Sequence, residues 1–168
     1  MCAQSPSRLR RAVPLLVLCA LVAGLVGCDH AIKRLATDRL AGRAAVIVVD
    51  GAVSLRYVEN RDSAFGLLRR LAPTTRRPLL VAASLVATSL IVALWWQRRR
   101  GGLLTHLAFA LVLAGGVGNL IDRALRGYVV DFVHVRYWPV FNVADAYLVV
   151  GIALLLLLSR RDPRPAAT

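Results

Sequence analysis

The sequence predicts a membrane protein of the all-α class with a small β element: four transmembrane helices, a β-hairpin and a short amphipathic helix on one membrane face. Three observations carry this. The chain is 58% hydrophobic with a mean hydropathy of +0.62, too apolar for a soluble domain of this size. Its apolar residues gather into four runs long enough to span a bilayer. Arginines bracket those runs, so the net charge of +13 points to membrane surfaces. No aromatic–basic interleaving or nucleic-acid motif is present, and nucleic acid is not an expected partner. Membrane lipids are.

The spans are expected at about 12–32, 78–96, 103–121 and 141–159, within a single domain of 168 residues. The first follows a short basic segment, and its apolar part ends in Leu25-Val26-Gly27-Cys28. A basic start, an apolar core and a small residue before Cys also describe a lipoprotein signal peptide, in which Cys28 would be lipidated and residues 1–27 removed. Asp29 and Lys33 argue for a helix that continues past Cys28, because residues four apart share one helical face. Cys2, Cys19 and Cys28 form no disulfide framework.

Residues 37–77 are expected as an insertion on one face. Ala44–Val49 and Val53–Val58 have strand character around an Asp50-Gly51 turn signal. Ala64, Phe65, Leu67, Leu68 and Leu71 suit a short amphipathic helix. Pro78 fits the first turn of the second span, and Trp95 and Trp96 fit the membrane interface. Gly115, Gly116 and Gly118 allow another helix to approach the third span closely. The lone His106 reads as structural, since no second ligand lies at metal-binding spacing. Residues 122–140 read as a loop ending in Tyr137, Trp138 and Pro139.

Four spans put both termini on one side. That side and the 97–102 turn hold nine of the 22 lysines and arginines, so a raw count opposes placing the termini inside, whereas the density of basic residues beside the helix ends favours it. With that orientation, Asp29, Asp122, Asp131 and Asp145 fall near the opposite face, at the level of Asn60, Asn119 and Asn142. Ionisable groups at membrane depth cost roughly 2.5–3.5 kcal/mol on insertion scales, and the default reading is functional. Asp122 can equally be a helix-end residue paired with Arg123 or Arg126. Asp131 and Asp145 have no adjacent base and point to chemistry. Two neighbouring carboxylates, one protonated and one acting as base on water, are the aspartic-protease arrangement. No zinc-protease H-E-x-x-H or G-x-S-x-G elbow is present, and no metal or cofactor is expected.

Asp29 with Lys33, Asn60 with Ala64-Phe65, Gly118-Asn119-Leu120-Ile121-Asp122-Arg123, Val130-Asp131-Phe132 and Phe141-Asn142-Val143-Ala144-Asp145 stand in one order and spacing. In these blocks, from about Ala12 to Ser159, the chain resembles the lipoprotein signal peptidases (signal peptidase II). The resemblance implies a catalytic dyad at Asp131 and Asp145. Asn60, Asn119, Arg123 and Asn142 would hold substrate or orient the dyad, with Asp29, Lys33 and Asp122 in support. It implies four spans with a small β-cradle and a mobile periplasmic helix, fitting residues 44–58 and 63–71. It implies an intramembrane aspartyl endopeptidase that cuts diacylglyceryl-modified prolipoproteins just before the modified cysteine. Such an enzyme sits in the bacterial inner membrane, with cytoplasmic termini and a site near the periplasmic face. A monomer is the expected state. One departure shows: the family loop reads N-x-G-A-A-F, and Asp62 replaces the Gly. The alternatives are a non-catalytic protein of the same fold, or a chain itself processed at Cys28.

Overall fold

The computed structural model describes residues 6–62, 68 and 70–161. The element order is α1 (Pro6–Leu40), β1 (Val46–Val49), β2 (Val53–Asn60), α2 (Pro73–Arg98), α3 (Leu103–Arg126), β3 (Val129–Val135) and α4 (Val143–Arg161). Four helices are long and apolar enough to cross a membrane.

α3 is the centre of the bundle. It packs against α1, α2 and α4, while α2 makes no comparable contact with α1 or α4. Leu18, Trp95, Phe109, Ala110 and Leu113 form the core where α1, α2 and α3 meet. The outer faces of α2 and α4 expose Leu85, Val86, Leu90, Val149, Leu156 and Leu157, as helices facing hydrocarbon do. α4 lies close to α3 because Gly115 has no side chain: a Cβ there would overlap the Ala144 carbonyl oxygen.

The sheet is antiparallel in the order β1-β2-β3. The expected turn at Asp50-Gly51 joins β1 to β2, with Gly51 at φ +65°. β3 corrects the expected loop over 122–140. α3 continues to Arg126, Gly127 closes it in the left-handed conformation (φ 79°), and the chain turns directly into β3. Leu55 pairs with Val133, and Val58 with Asp131. Phe132 packs on Ala36 and Leu40, one turn apart on α1, which seats the sheet against that helix.

Other boundaries move too. α1 runs unbroken through Cys28 to Leu40, and α2 begins at Pro73, so the insertion on this face is shorter than 37–77. Pro73 takes the first helical turn, and Pro78 lies inside α2. Trp95 faces the protein rather than lipid: it is 2% exposed and donates from Nε1 to His106 Nδ1 at 3.0 Å. That bond confirms the structural role of His106. Most of the expected amphipathic helix around Ala64–Leu67 lies outside the described residues.

Candidate active site

The nine residues singled out in the sequence converge at one end of the bundle. Asp29 and Lys33 come from α1, Asn60 from the end of β2, and Asn119, Asp122 and Arg123 from α3. Asp131 lies on β3, Asn142 immediately precedes α4, and Asp145 is in its first turn.

The inner layer is ionic. Lys33 Nζ lies 2.8 Å from Asp29 Oδ2 and 2.9 Å from Asp122 Oδ2, and donates to Asn119 Oδ1 at 3.1 Å. The ammonium thus has one hydrogen-bond acceptor, Asn119, and two carboxylates at ion-pair distance. Lys33 and Asp29 are fully buried and Asp122 is 1% exposed, so the charges persist only as a group. Asp29 Oδ1 accepts the Ala144 backbone N–H at 3.0 Å, linking α1 to the start of α4. Asp122 also meets Arg126 Nη1 at 3.3 Å and His30 Nδ1 at 3.9 Å. Asp122 therefore pairs with Arg126 and Lys33. Its sequence neighbour Arg123 lies near enough to Asp145 and Asp131 to feel both charges. His30 was not legible as a member: a single histidine on a long apolar helix carries no signal until Asp122 is placed beside it.

The outer layer holds the carboxylate pair. Asp131 accepts from Asn142 Nδ2 on Oδ1 at 2.6 Å and from Asn60 Nδ2 on Oδ2 at 2.9 Å. Asp145 accepts from Asn119 Nδ2 on Oδ1 at 2.8 Å and from the Asn142 backbone N–H on Oδ2 at 3.2 Å. Asn142 thus binds both carboxylates. Asn119 Oδ1 accepts from Asn142 Nδ2 as well as from Lys33, so the two layers are continuous.

The two acids differ in environment. Asp131 is 2% exposed, and Asp145 is partly exposed. Burial pushes Asp131 up to about 6, with Asp145's charge adding to the rise and Asn60, Asn142 and Lys33 opposing it. Four carboxylates (Asp29, Asp122, Asp131, Asp145) face three cations (Lys33, Arg123, Arg126). One proton on the pair neutralises the group. Asp62 follows Asn60 in a side-chain turn, its N–H donating to Asn60 Oδ1 at 3.1 Å. It does not need the positive φ a Gly supplies: Tyr137 is the only such non-glycine among the described residues. No group of residues that could hold a metal ion occurs among them.

The fold and this site define a multi-pass membrane protein with a hydrogen-bonded carboxylate pair at one end of its helices. The profile of the signal peptidase II family matches residues 21–161. Lipoprotein signal peptidases of Geobacter metallireducens and Syntrophotalea carbinolica are 39% and 38% identical, covering 81% and 88% of this chain and 85% and 91% of their own. That of Halothermothrix orenii is 37% identical over 77% of this chain and 85% of its own. A solved bacterial membrane enzyme shares the fold at a TM-score of 0.73 and 22% identity, covering 87% of this chain and 94% of its own. The chain belongs to the signal peptidase II family and is a membrane protease.

Proposed function

We propose that Asp131 and Asp145 are the acid–base pair with which this protease removes signal peptides from prolipoproteins, cutting just before a diacylglyceryl-modified cysteine. The observation that carries the reading is Asn142, which holds one oxygen of each carboxylate. A pair so tied acts on one water and one peptide bond. Asp145, partly exposed and held by Asn119 and a backbone N–H, is the base. It takes a proton from water as the oxygen attacks the scissile carbonyl carbon. Asp131, whose raised proton affinity suits an acid, protonates the carbonyl oxygen. The tetrahedral species collapses with cleavage of the C–N bond: Asp145 returns its proton to the cysteine nitrogen, and Asp131 takes back a proton from one of the two hydroxyls. Asp29, Lys33 and Asp122 hold α1, α3 and α4 in the geometry the pair needs, and Arg123 faces the developing charge.

The route for substrate is the opening between α2 and α4. A cavity of about 310 Å³ lies there, lined by Thr88 and Ile91 of α2, Leu148 and Ile152 of α4, and Gly116 and Arg123 of α3. Its apolar walls suit the hydrophobic core of a signal peptide, and Arg123 marks its polar end. The orientation follows: termini in the cytoplasm, site at the outer face. The enzyme acts as a monomer in this account, because α3 is already enclosed by its own chain. A non-catalytic role is disfavoured by the family assignment and by two intact carboxylates.

The test is cleavage of a purified diacylglyceryl-modified prolipoprotein by the reconstituted protein, with the product N-terminus mapped by mass spectrometry. Release of a product beginning at the modified cysteine is expected. Cleavage elsewhere, or equal cleavage of the unmodified precursor, would contradict the assignment.

A further inference from the structure

A cluster of arginines lies at the carboxylate end of the bundle, and of its members only Arg126 also meets the site above. Arg61, Arg76, Arg77 and Arg126, with Pro73 and Gly127, line a cavity of about 490 Å³ between the start of α2 and the end of α3. No carboxylate is among the described residues that line it. Arg77 is fixed in place: its Nη2 donates to the Ala124 carbonyl at 2.7 Å, and its side chain lies over Gly127, where a Cβ would stand 3.5 Å from Arg77 Cδ. Arg61 stacks over Tyr128 and pairs with Glu59. Arg126 uses one nitrogen on Asp122, a carboxylate that Lys33 already meets. The Arg76 side chain has no hydrogen-bond or ion-pair partner among the described residues. α2 starts here with no acidic residue in its first turn and no side-chain cap.

Arg61 and Arg126 each have a carboxylate partner, which leaves the neighbouring guanidiniums of Arg76 and Arg77 to repel one another unless an anion joins them. Their planar forks match phosphate oxygens in a way a lysine cluster would not. The position decides the source of the phosphate. Directly below Pro78, α2 exposes Leu79, Leu85 and Val86, so the cavity sits where a lipid-facing apolar surface gives way to arginines. A phospholipid has that profile: acyl chains against the leucines, phosphate at the cavity. The cluster also accounts for basic residues that the orientation argument leaves on the face where a positive-inside pattern does not want them.

We infer that this cavity is a binding site for the phosphate of an anionic membrane phospholipid, with Arg76 and Arg77 as its principal ligands. The site is distinct from the carboxylate pair and does not depend on the protease mechanism. Anionic lipid bound there holds the start of α2 against the end of α3.

The test is native mass spectrometry of the full chain in neutral detergent, titrated with phosphatidylglycerol or phosphatidylcholine. One basic residue at an anionic lipid surface is worth about fivefold in affinity. Phosphatidylglycerol should bind preferentially. Arg76→Gln, which removes no side-chain hydrogen bond or ion pair among the described residues, should weaken it about fivefold, and Arg76→Gln/Arg77→Gln about 25-fold. Arg98→Gln/Arg100→Gln, the same charge change at the other end of α2, should leave it unchanged. Equal binding of both lipids by the wild type, or equal losses in the two double variants, would overturn the site. Displacement of phosphatidylglycerol by low-millimolar inorganic phosphate would overturn the lipid as its ligand.

Discussion

Asn142 and Asp145 cap one another across the first turn of α4. The Asp145 N–H donates to Asn142 Oδ1 at 3.1 Å, and the Asn142 N–H donates to Asp145 Oδ2 at 3.2 Å. This is a capping box built from Asn and Asp. The proposed base is therefore also a structural residue of α4. The cap fixes the carboxylate, and the free side of the same Asn142 amide reaches Asp131. A base held in this way loses little orientational freedom when substrate arrives.

The ionic layer predicts a stability effect. Lys33→Met should destabilise the protein by roughly 3–5 kcal/mol, because it leaves the buried Asp29 without a cation and Asp122 with Arg126 alone. Converting both as well (Asp29→Asn, Asp122→Asn) should recover much of the loss. Unfolding in mixed micelles measures both. A Lys33→Met effect below about 1 kcal/mol, typical of an exposed ion pair, would mean that the three residues are solvated.

The pH profile is a second consequence. Asp131 must keep its proton to act as acid, so kcat/KM should fall as pH rises through about 6, where the free enzyme loses it. Asn60 stabilises the ionised form by donating to Oδ2, so its removal raises the proton affinity. Asn60→Ala should move the alkaline limb to higher pH. A limb that stays put or moves down would assign the titration to another group.

Helix spacing gives a third. Gly115→Ala should push α4 and its Asp145 away from α3, at about 1–3 kcal/mol of overpacking, and lower kcat more than KM. Gly24→Ala on α1, whose Cβ meets nothing within 4 Å, should be silent. Equal effects of the two would remove close α3–α4 approach from the account.

Orientation gives a fourth. In a background without native cysteines, Gly51→Cys should react with an impermeant thiol reagent added outside intact cells, and Gly102→Cys should not. The reverse pattern would place the carboxylate pair on the cytoplasmic face.

Much of this was legible in the sequence for local reasons. Asp29 and Lys33 are one helical turn apart, and the Asp50-Gly51 turn announces its hairpin. The strand carrying Asp131 was not. Val129–Val135 has the β-branched content of a strand, but its partner β2 lies about 75 residues away, and register over such a distance is set by packing rather than local preference. Helix ends were misplaced for a different reason. Hydropathy reports membrane depth, whereas Arg34, Thr37, Asp38 and Arg39 continue α1 as readily as apolar residues would. The roles of Asn119 and Asn142 as bridges followed only once four elements met.

The most direct test of the central claim is the cleavage rate of a diacylglyceryl-modified prolipoprotein by Asp131→Asn and Asp145→Asn, measured beside the wild type in one lipid mixture. Asn can still accept a hydrogen bond at each position, yet it neither gives nor takes the required proton. Each variant should insert and unfold like the wild type and lose activity by about 10²–10⁴-fold. A folded variant of either kind that keeps more than a tenth of the wild-type rate would contradict the acid–base pair.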